Sequence, residues 1–166
     1  MIRSRTLSSI DSMNPALVRL LHIPVLHWLA SAGLMTISLR GRRSGRSFRF
    51  PVGYHDQIDA VIVLVSDAKG RQWWRNFESP WPATLQIRGG ARDMIGEVLD
   101  PGTAEFARRV GDFFARAAFL PRIFGVEFDP TRGLSQEQMK TLGDTAAAVR
   151  FRVVDSSEGG VDWKIR

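Results

Sequence analysis

Short segments in which apolar and polar residues alternate, separated by turn residues, most constrain how this chain can fold. Side chains of a strand point alternately to its two faces, so this pattern predicts strands with one buried face. Gly89-Gly90 predicts a tight hairpin turn, and the continuous apolar run Ala60–Val65 predicts a strand buried on both faces. The predicted strands are 35–40, 48–52, 60–65, 83–88, 91–99 and 147–154.

Helical signals are fewer and do not alternate regularly with the strands. A helix is predicted over about 14–33, with a kink at Pro24, and a short helical turn over Gln72–Phe77. Thr103 and Ser135 are predicted N-caps of two later helices. Because no βαβ rhythm is present, we predict a mainly β (α+β) fold, a six-stranded antiparallel split β-barrel with flanking helices.

Composition narrows the class of protein. The 166 residues suit one domain over 1–166. The absence of cysteine excludes disulfides and thiolate chemistry, and the three histidines form no recognisable metal-binding pair, so no metal site is expected. Arg19, two histidines and Pro24 interrupt the most apolar stretch, 16–37. Neither a membrane span nor a signal peptide is therefore predicted, and the expected location is cytoplasmic.

Positive charge is concentrated near the start of the chain. Residues 1–49 contain eight arginines and one acid, whereas residues 50–166 carry a net charge of −1. The densest point is the segment Gly41-Arg42-Arg43-Ser44-Gly45-Arg46, which follows Arg40 and is called the arginine loop below. Its glycines allow tight backbone, and arginines match phosphate and carboxylate geometry. An anion-binding turn and a solvated hairpin tip are equally consistent with these residues.

Two further segments carry candidate site residues. Trp73 and Trp74 are adjacent, so one is expected to anchor the core and the other to line a planar ligand. The side chain of Asn76 is expected to hold a neighbouring loop by hydrogen bonding to the backbone of that loop. Ser66 and Asp67 end the buried strand, where backbone amides often bind the polar edge of a ring.

The order of these motifs resembles the deazaflavin-dependent nitroreductase family, which has the FMN-binding split-barrel fold. The resemblance covers roughly residues 34 to 100. It rests on the arginine loop, Pro51-Val52, the β-branched strand ending at Ser66, and Trp74-Arg75-Asn76. It implies that the 5-deazaflavin coenzyme F-420 binds in a groove of the barrel and passes a hydride to a small organic acceptor such as a quinone, an enone or a nitro compound.

The resemblance also implies roles for individual residues. Those implied to bind the cofactor are Arg42, Arg43, Ser44, Gly45, Arg46, Pro51, Ser66, Asp67, Trp74, Arg75 and Asn76. The cations of the loop are implied to bind the phosphate and acidic tail. Family members place tyrosines in the C-terminal part of the substrate pocket, whereas this chain has none after Tyr54. Trp28, Tyr54 and Phe124 are the candidates for that pocket, and no catalytic residue is assigned.

Other functions stay open at this stage. An FMN-dependent reductase of the same fold, and a protein that binds a cofactor or ligand without catalysis, are the alternatives. Nucleic-acid binding is not expected, because the arginines are confined to one hairpin tip. The basic N-terminal helix is compatible with peripheral membrane contact, and the fold is compatible with a homodimer.

Overall fold

The computed structural model describes residues 33–153. Trp28 and the helix predicted over 14–33 lie outside this range except for Gly33, and so does Val154 at the end of the last predicted strand.

The described chain contains seven strands, one 3₁₀ segment and three α-helices. The strands are β1 (Leu34–Arg40), β2 (Ser47–Gly53), β3 (His55–Asp56), β4 (Val61–Ser66), β5 (Trp81–Ile87), β6 (Gly90–Val98) and β7 (Ala146–Val153). The 3₁₀ segment is Trp73–Phe77, and the helices are α1 (Ala104–Ala115), α2 (Leu120–Ile123) and α3 (Gln136–Thr145).

All strands join one antiparallel sheet in the order β2-β1-β5-β6-β7-β4-β3. Strands β2 and β4 are far apart in this order and yet contact each other, so the sheet curls into a half-barrel. The prediction of six strands was one short. The seventh, β3, has only two residues, too few for alternation to reveal it.

The inner face of the curled sheet holds the core. Met35, Ile37 and Leu39 alternate along β1 and are all buried. Strand β4 is buried over Val61–Val65, as its continuous apolar sequence predicted. Its alternate residues Val61, Val63 and Val65 belong to the core of the sheet, whereas the buried Ile62 and Leu64 face the side that α1 contacts.

Both predicted helix caps are present in the structure, whereas one predicted turn is displaced by one residue. Thr103 accepts a hydrogen bond from Phe106 N, and Ser135 forms a full capping box with Gln138, so both predicted caps are confirmed. The turn between β5 and β6 was predicted one residue too late. Arg88 (φ 49°) and Gly89 (φ 82°) form it, and Gly90 already pairs with Ile87. A type I′ hairpin turn has positive φ at both central positions, and here an arginine adopts it at the first.

Phe77 attaches the 3₁₀ segment to the sheet. It is fully buried, and its ring lies 5.1 Å from that of Phe151 on β7. Gly96 on β6 leaves the space for both rings, since a Cβ there would come within 2.5 Å of Phe77 and 2.6 Å of Phe151. The glycine is therefore required by packing and not by its backbone conformation.

A charged network joins α1 to the β3–β4 turn. The buried Arg109 donates to both carboxylate oxygens of Asp59 at 2.6 Å and to Gln57 Oε1 at 2.8 Å. Glu105, one turn earlier on α1, accepts from Arg150 on β7 at 2.7 Å. These pairs satisfy the buried guanidinium and connect the helix to two parts of the sheet.

We predict that Gly96→Ala lowers the free energy of unfolding by roughly 1–3 kcal/mol, because the added methyl group collides with two buried rings. Urea denaturation would measure the effect. Gly90→Ala in the same strand is the matched control, since the nearest atom to its Cβ is 3.6 Å away. Its expected change is within about 0.5 kcal/mol. Equal effects of the two substitutions would contradict the packing role of Gly96.

The Arg109–Asp59 pair predicts a pH dependence of stability. The hydrogen bond from Arg109 lowers the pKa of Asp59 from 3.8 to about 2. A depressed carboxyl pKa contributes stability above pH 3.8 that is lost as the pH falls through 2. Asp59→Asn should lower the free energy of unfolding by roughly 1–2 kcal/mol at pH 7, because the ion pair with Arg109 is lost. The effect is no larger because the Asp59 side chain is largely exposed to solvent.

The difference between wild type and Asp59→Asn should therefore shrink between pH 4 and pH 2 in urea titrations. Asp144→Asn removes an exposed carboxylate on α3 and should change stability by less than about 0.5 kcal/mol. A constant difference for Asp59→Asn across this pH range would contradict the assignment.

Candidate functional site

An open cleft of ≈ 380 Å³ lies between the arginine loop and the 3₁₀ segment. Its described lining residues are Gly41, Arg42, Arg43, Ser44, Phe48, Gln72, Trp73, Arg75, Asn76, Glu78 and Ser79. One wall thus comes from the β1–β2 hairpin and the other from the segment that Phe77 attaches to the sheet. Five of the residues proposed for cofactor binding from the sequence meet here: Arg42, Arg43, Ser44, Arg75 and Asn76.

The arginine loop closes on itself through backbone hydrogen bonds. Gly41 N donates to Arg46 O, and Gly45 N donates to Gly41 O, both at 2.8 Å. Gly45 has a φ of +64°, which favours glycine. Gly41 has a different reason to be glycine, since a Cβ would lie 2.7 Å from Ser44 Oγ and 2.8 Å from the Phe48 ring. The sequence prediction of a tight turn is confirmed.

Arg42 is held by the connection that follows the 3₁₀ segment. Its Nη1 donates to Ser79 Oγ, and its Nη2 donates to the carbonyl oxygens of Ser79 at 3.0 Å and Pro80 at 3.2 Å. The guanidinium also lies 4.7 Å from the centre of the Trp81 ring. This arginine is therefore neither a free cation nor a side chain extended into water.

Asn76 joins the two walls, as its sequence context predicted. Its Oδ1 accepts from Arg42 N at 2.8 Å, and its Nδ2 donates to Trp73 O at 2.8 Å. The side-chain amide has one group directed to each wall, so it holds the loop and the 3₁₀ segment in a defined relation.

The remaining cations of the cleft are differently placed. Within the described chain, the guanidinium groups of Arg43 and Arg75 have no carboxylate partner. Arg75 lies 5.6 Å from the centre of the Trp74 ring. Glu78 is the one acidic side chain among the described lining residues, so the charge of the cleft is predominantly positive.

The two adjacent tryptophans take different positions. Trp73 lines the cleft and contacts Phe50, with ring centres 5.0 Å apart. Trp74, which the resemblance implied for the cofactor, is not among the described lining residues. Its indole Nε1 donates to Ala68 O at 2.8 Å and thereby holds the loop after β4.

Several other candidates lie away from the cleft. Gly45, Arg46 and Pro51 belong to the same hairpin but do not line it, and Ser66 pairs with Ala146 at the end of β4. Asp67 has a φ of 51°, and its carbonyl oxygen accepts from Gly70 N and Arg71 N. Its position is therefore that of a turn residue.

Two of the three proposed substrate-pocket residues lie in the described chain, and neither is among the described residues that line the cleft. Tyr54 is buried in the core of the sheet, and the ring of Phe124 packs 5.7 Å from that of Phe114 beside α1. Trp28 lies outside the described residues. His55, the neighbour of Tyr54, has a lowered pKa because of its burial and the positive charge of Arg116.

Sequence reasoning missed Phe48, Gln72, Glu78 and Ser79 as lining residues. It left open which of Trp73 and Trp74 lines a ligand, and the resemblance named Trp74, whereas Trp73 lines the cleft. Phe48 was taken for core because it alternates in phase with Phe50 and Val52. It does lie in that phase, but at the end of the hairpin it remains 41% exposed and borders the cleft. Its position beside the glycine turn was the one available signal.

Among residues 33–153, no group of three or more histidine, cysteine or acidic side chains is arranged to hold a metal ion. Within the same range, no helix has the length and apolar character needed to cross a membrane.

Comparison with known proteins supports the fold. No protein-family model and no curated protein sequence matches this chain. The solved structure of HutZ, a heme storage protein from Vibrio cholerae, superposes with a TM-score of 0.52 at 9% identity, over 78% of this chain and 87% of HutZ. An FAD and heme binding protein from Mycobacterium smegmatis gives a TM-score of 0.43 at 17% identity, over 77% of this chain and 64% of that protein.

This chain has a split-barrel fold. The likeness to HutZ confirms the predicted fold class, and at 9% identity it concerns the fold alone.

We predict that Asn76→Ala lowers the free energy of unfolding by roughly 1–2 kcal/mol, because its hydrogen bond to the arginine loop and its hydrogen bond within the 3₁₀ segment are both lost. Thermal or urea denaturation would measure this. Gln72→Ala is the control, since Gln72 is exposed and makes one local hydrogen bond, to Lys69 O at 3.2 Å. Its expected effect is below about 0.5 kcal/mol, and an equal loss in both variants would contradict the bridging role of Asn76.

Proposed function

We propose that the cleft binds a planar redox cofactor that carries an anionic group. The finer proposal is the 5-deazaflavin coenzyme F-420, with the protein acting as an oxidoreductase on a small organic acceptor. The observation that carries the proposal is the placement of Arg43 and Arg75, without carboxylate partners in the described chain, beside the aromatic rings of Phe48 and Trp73.

The polar groups of the cleft suit an anion. Arginine forks match phosphate and carboxylate geometry, and a loop with exposed amides forms an anion-binding concavity. Within the described chain, the backbone amides of Arg43 and Ser44 have no acceptor, and both residues line the cleft. Arg43 and Arg75 would therefore hold the phosphate or the acidic tail of the coenzyme.

The apolar groups suit a ring. Phe48 and Trp73 offer aromatic surface on the two walls, and rings of this kind pack well against planar ligands. The volume of ≈ 380 Å³ lies within the usual range of about 300–1,000 Å³ for ligand sites. The residues present thus fit a cofactor with a ring at one end and negative charge at the other.

Catalysis would require little from the chain beyond binding and orientation. When bound in its reduced form, the deazaflavin supplies a hydride for a quinone, an enone or a nitro compound. Arg43 and Arg75 would fix the anionic end, while Trp73 and Phe48 would limit the orientations of the ring. The positive field of the cleft would favour ligand groups that carry negative charge.

FMN is the alternative cofactor, because it also combines a ring with a phosphate. Heme, the ligand named for HutZ, is less well supported. Iron in heme is commonly held by histidine, cysteine, methionine or tyrosine, and none of the described lining residues is of these types. A protein that binds the cofactor without catalysis is the second candidate function, favoured by the lack of any tyrosine after Tyr54.

We predict that the purified protein binds coenzyme F-420 with micromolar or better affinity in an absorbance and fluorescence titration run in parallel with FMN. Arg43→Ala should weaken binding by about tenfold or more, because a charge-assisted contact is lost. The loss should diminish at high salt, which screens the wild-type interaction.

Arg108→Ala is the matched control, since it removes an exposed arginine from α1, outside the cleft, and changes net charge equally. Its affinity should equal that of the wild type. Binding of FMN with no binding of the deazaflavin would favour the flavin alternative. Bound coenzyme with no turnover of quinone, enone and nitro acceptors would favour the non-catalytic protein.

A further inference from the structure

We infer that Arg42 is a positioning residue, not a ligand-binding cation: it holds the arginine loop against the second wall of the cleft and thereby places Arg43. The ligand-dependent part of this inference rests on the proposed function. The structural part, that one guanidinium holds the loop, concerns the free protein and stands without a ligand.

Both terminal nitrogens of the Arg42 guanidinium donate to protein acceptors. Nη1 and Nη2 reach the hydroxyl and carbonyl oxygens of Ser79 and the carbonyl oxygen of Pro80, and the backbone amide reaches Asn76 Oδ1. An anion that used the same face of the guanidinium would have to displace these contacts. The side chain is exposed, but its hydrogen-bonding fork is already engaged.

The contacts around residue 42 favour arginine over lysine. The guanidinium lies 4.7 Å from the centre of the Trp81 ring, and Trp81 is itself fixed by its Nε1, which donates to Arg40 O at 2.7 Å. Planar stacking combined with a two-pronged fork is available to arginine but not to lysine. The end of β1, the loop and the start of β5 are thus joined by one connected set of contacts.

The next residue has the opposite role. Arg43 lines the cleft, and no acceptor of its side chain lies in the described chain. The bonds from Gly41 N to Arg46 O and from Gly45 N to Gly41 O make the loop a closed unit. Holding that unit at Arg42 therefore determines where the guanidinium of Arg43 can reach.

The first experiment measures amide hydrogen exchange by NMR in the free protein. Arg42→Ala and Arg42→Lys should each speed the exchange of the residue-42 and Gly45 amides by about tenfold or more, because the contacts that hold the loop are lost. Arg43→Ala should leave both rates unchanged. Ser79→Ala, a milder change that removes one acceptor, should give an intermediate rate.

Unchanged exchange in both Arg42 variants, with their melting temperatures preserved, would overturn the inference. Equal acceleration in Arg43→Ala would overturn it as well, since any arginine of the loop would then have the same effect.

The second experiment measures affinity for coenzyme F-420 and for FMN across a salt series. Arg42→Lys should weaken binding as much as Arg42→Ala, by about tenfold, and leave the salt dependence as in the wild type. Arg43→Lys should retain affinity within about threefold, whereas Arg43→Ala should reduce the salt dependence. Rescue by lysine at position 42 would mark Arg42 as a ligand cation and overturn the inference.

If the wild type binds neither cofactor, the proposed function fails, and the exchange experiment alone decides the role of Arg42. The two failures are therefore distinguishable.

Discussion

The burial of Phe77 against Gly96 and Phe151 is the contact on which the candidate site depends. Phe77 is the one buried residue of the 3₁₀ segment, which otherwise has partly buried or exposed side chains. A five-residue 3₁₀ segment has little intrinsic stability, so its position comes from tertiary packing. Because Gly96 has no side chain, the ring reaches the interior of the curled sheet, and Trp73, Arg75 and Asn76 are carried to the cleft.

Four arginines of the described chain show three physical situations. Arg109 is buried, and its charge is balanced by Asp59 with further hydrogen bonding from Gln57. Arg42 is exposed but bound to oxygen acceptors and stacked near an indole. In the described chain, the guanidinium groups of Arg43 and Arg75 have neither a carboxylate partner nor another oxygen acceptor. Only the last situation leaves a cation available to an external anion, and net charge alone does not distinguish among the three.

Much of the sheet was predictable because strand periodicity is a local property. The predictions that depend on neighbouring residues were correct. They are the alternation along β1, the continuous burial along β4 and the caps Thr103 and Ser135. The turn at Arg88-Gly89 was displaced by one position because three consecutive residues, Arg88, Gly89 and Gly90, are compatible with it. Strand β3 was missed because two residues carry no period.

The sequence by itself determined the mainly β class, the arginine loop and the expectation that Asn76 would hold a neighbouring loop. Tertiary structure alone decided which tryptophan faces the cleft, and which arginines lack an oxygen acceptor within residues 33–153. Trp73 and Trp74 are adjacent and chemically identical, and so are Arg42 and Arg43, hence local sequence cannot separate them. Their roles depend on what the curled sheet brings opposite each: Ala68 O for Trp74, and Ser79, Pro80 and Trp81 for Arg42.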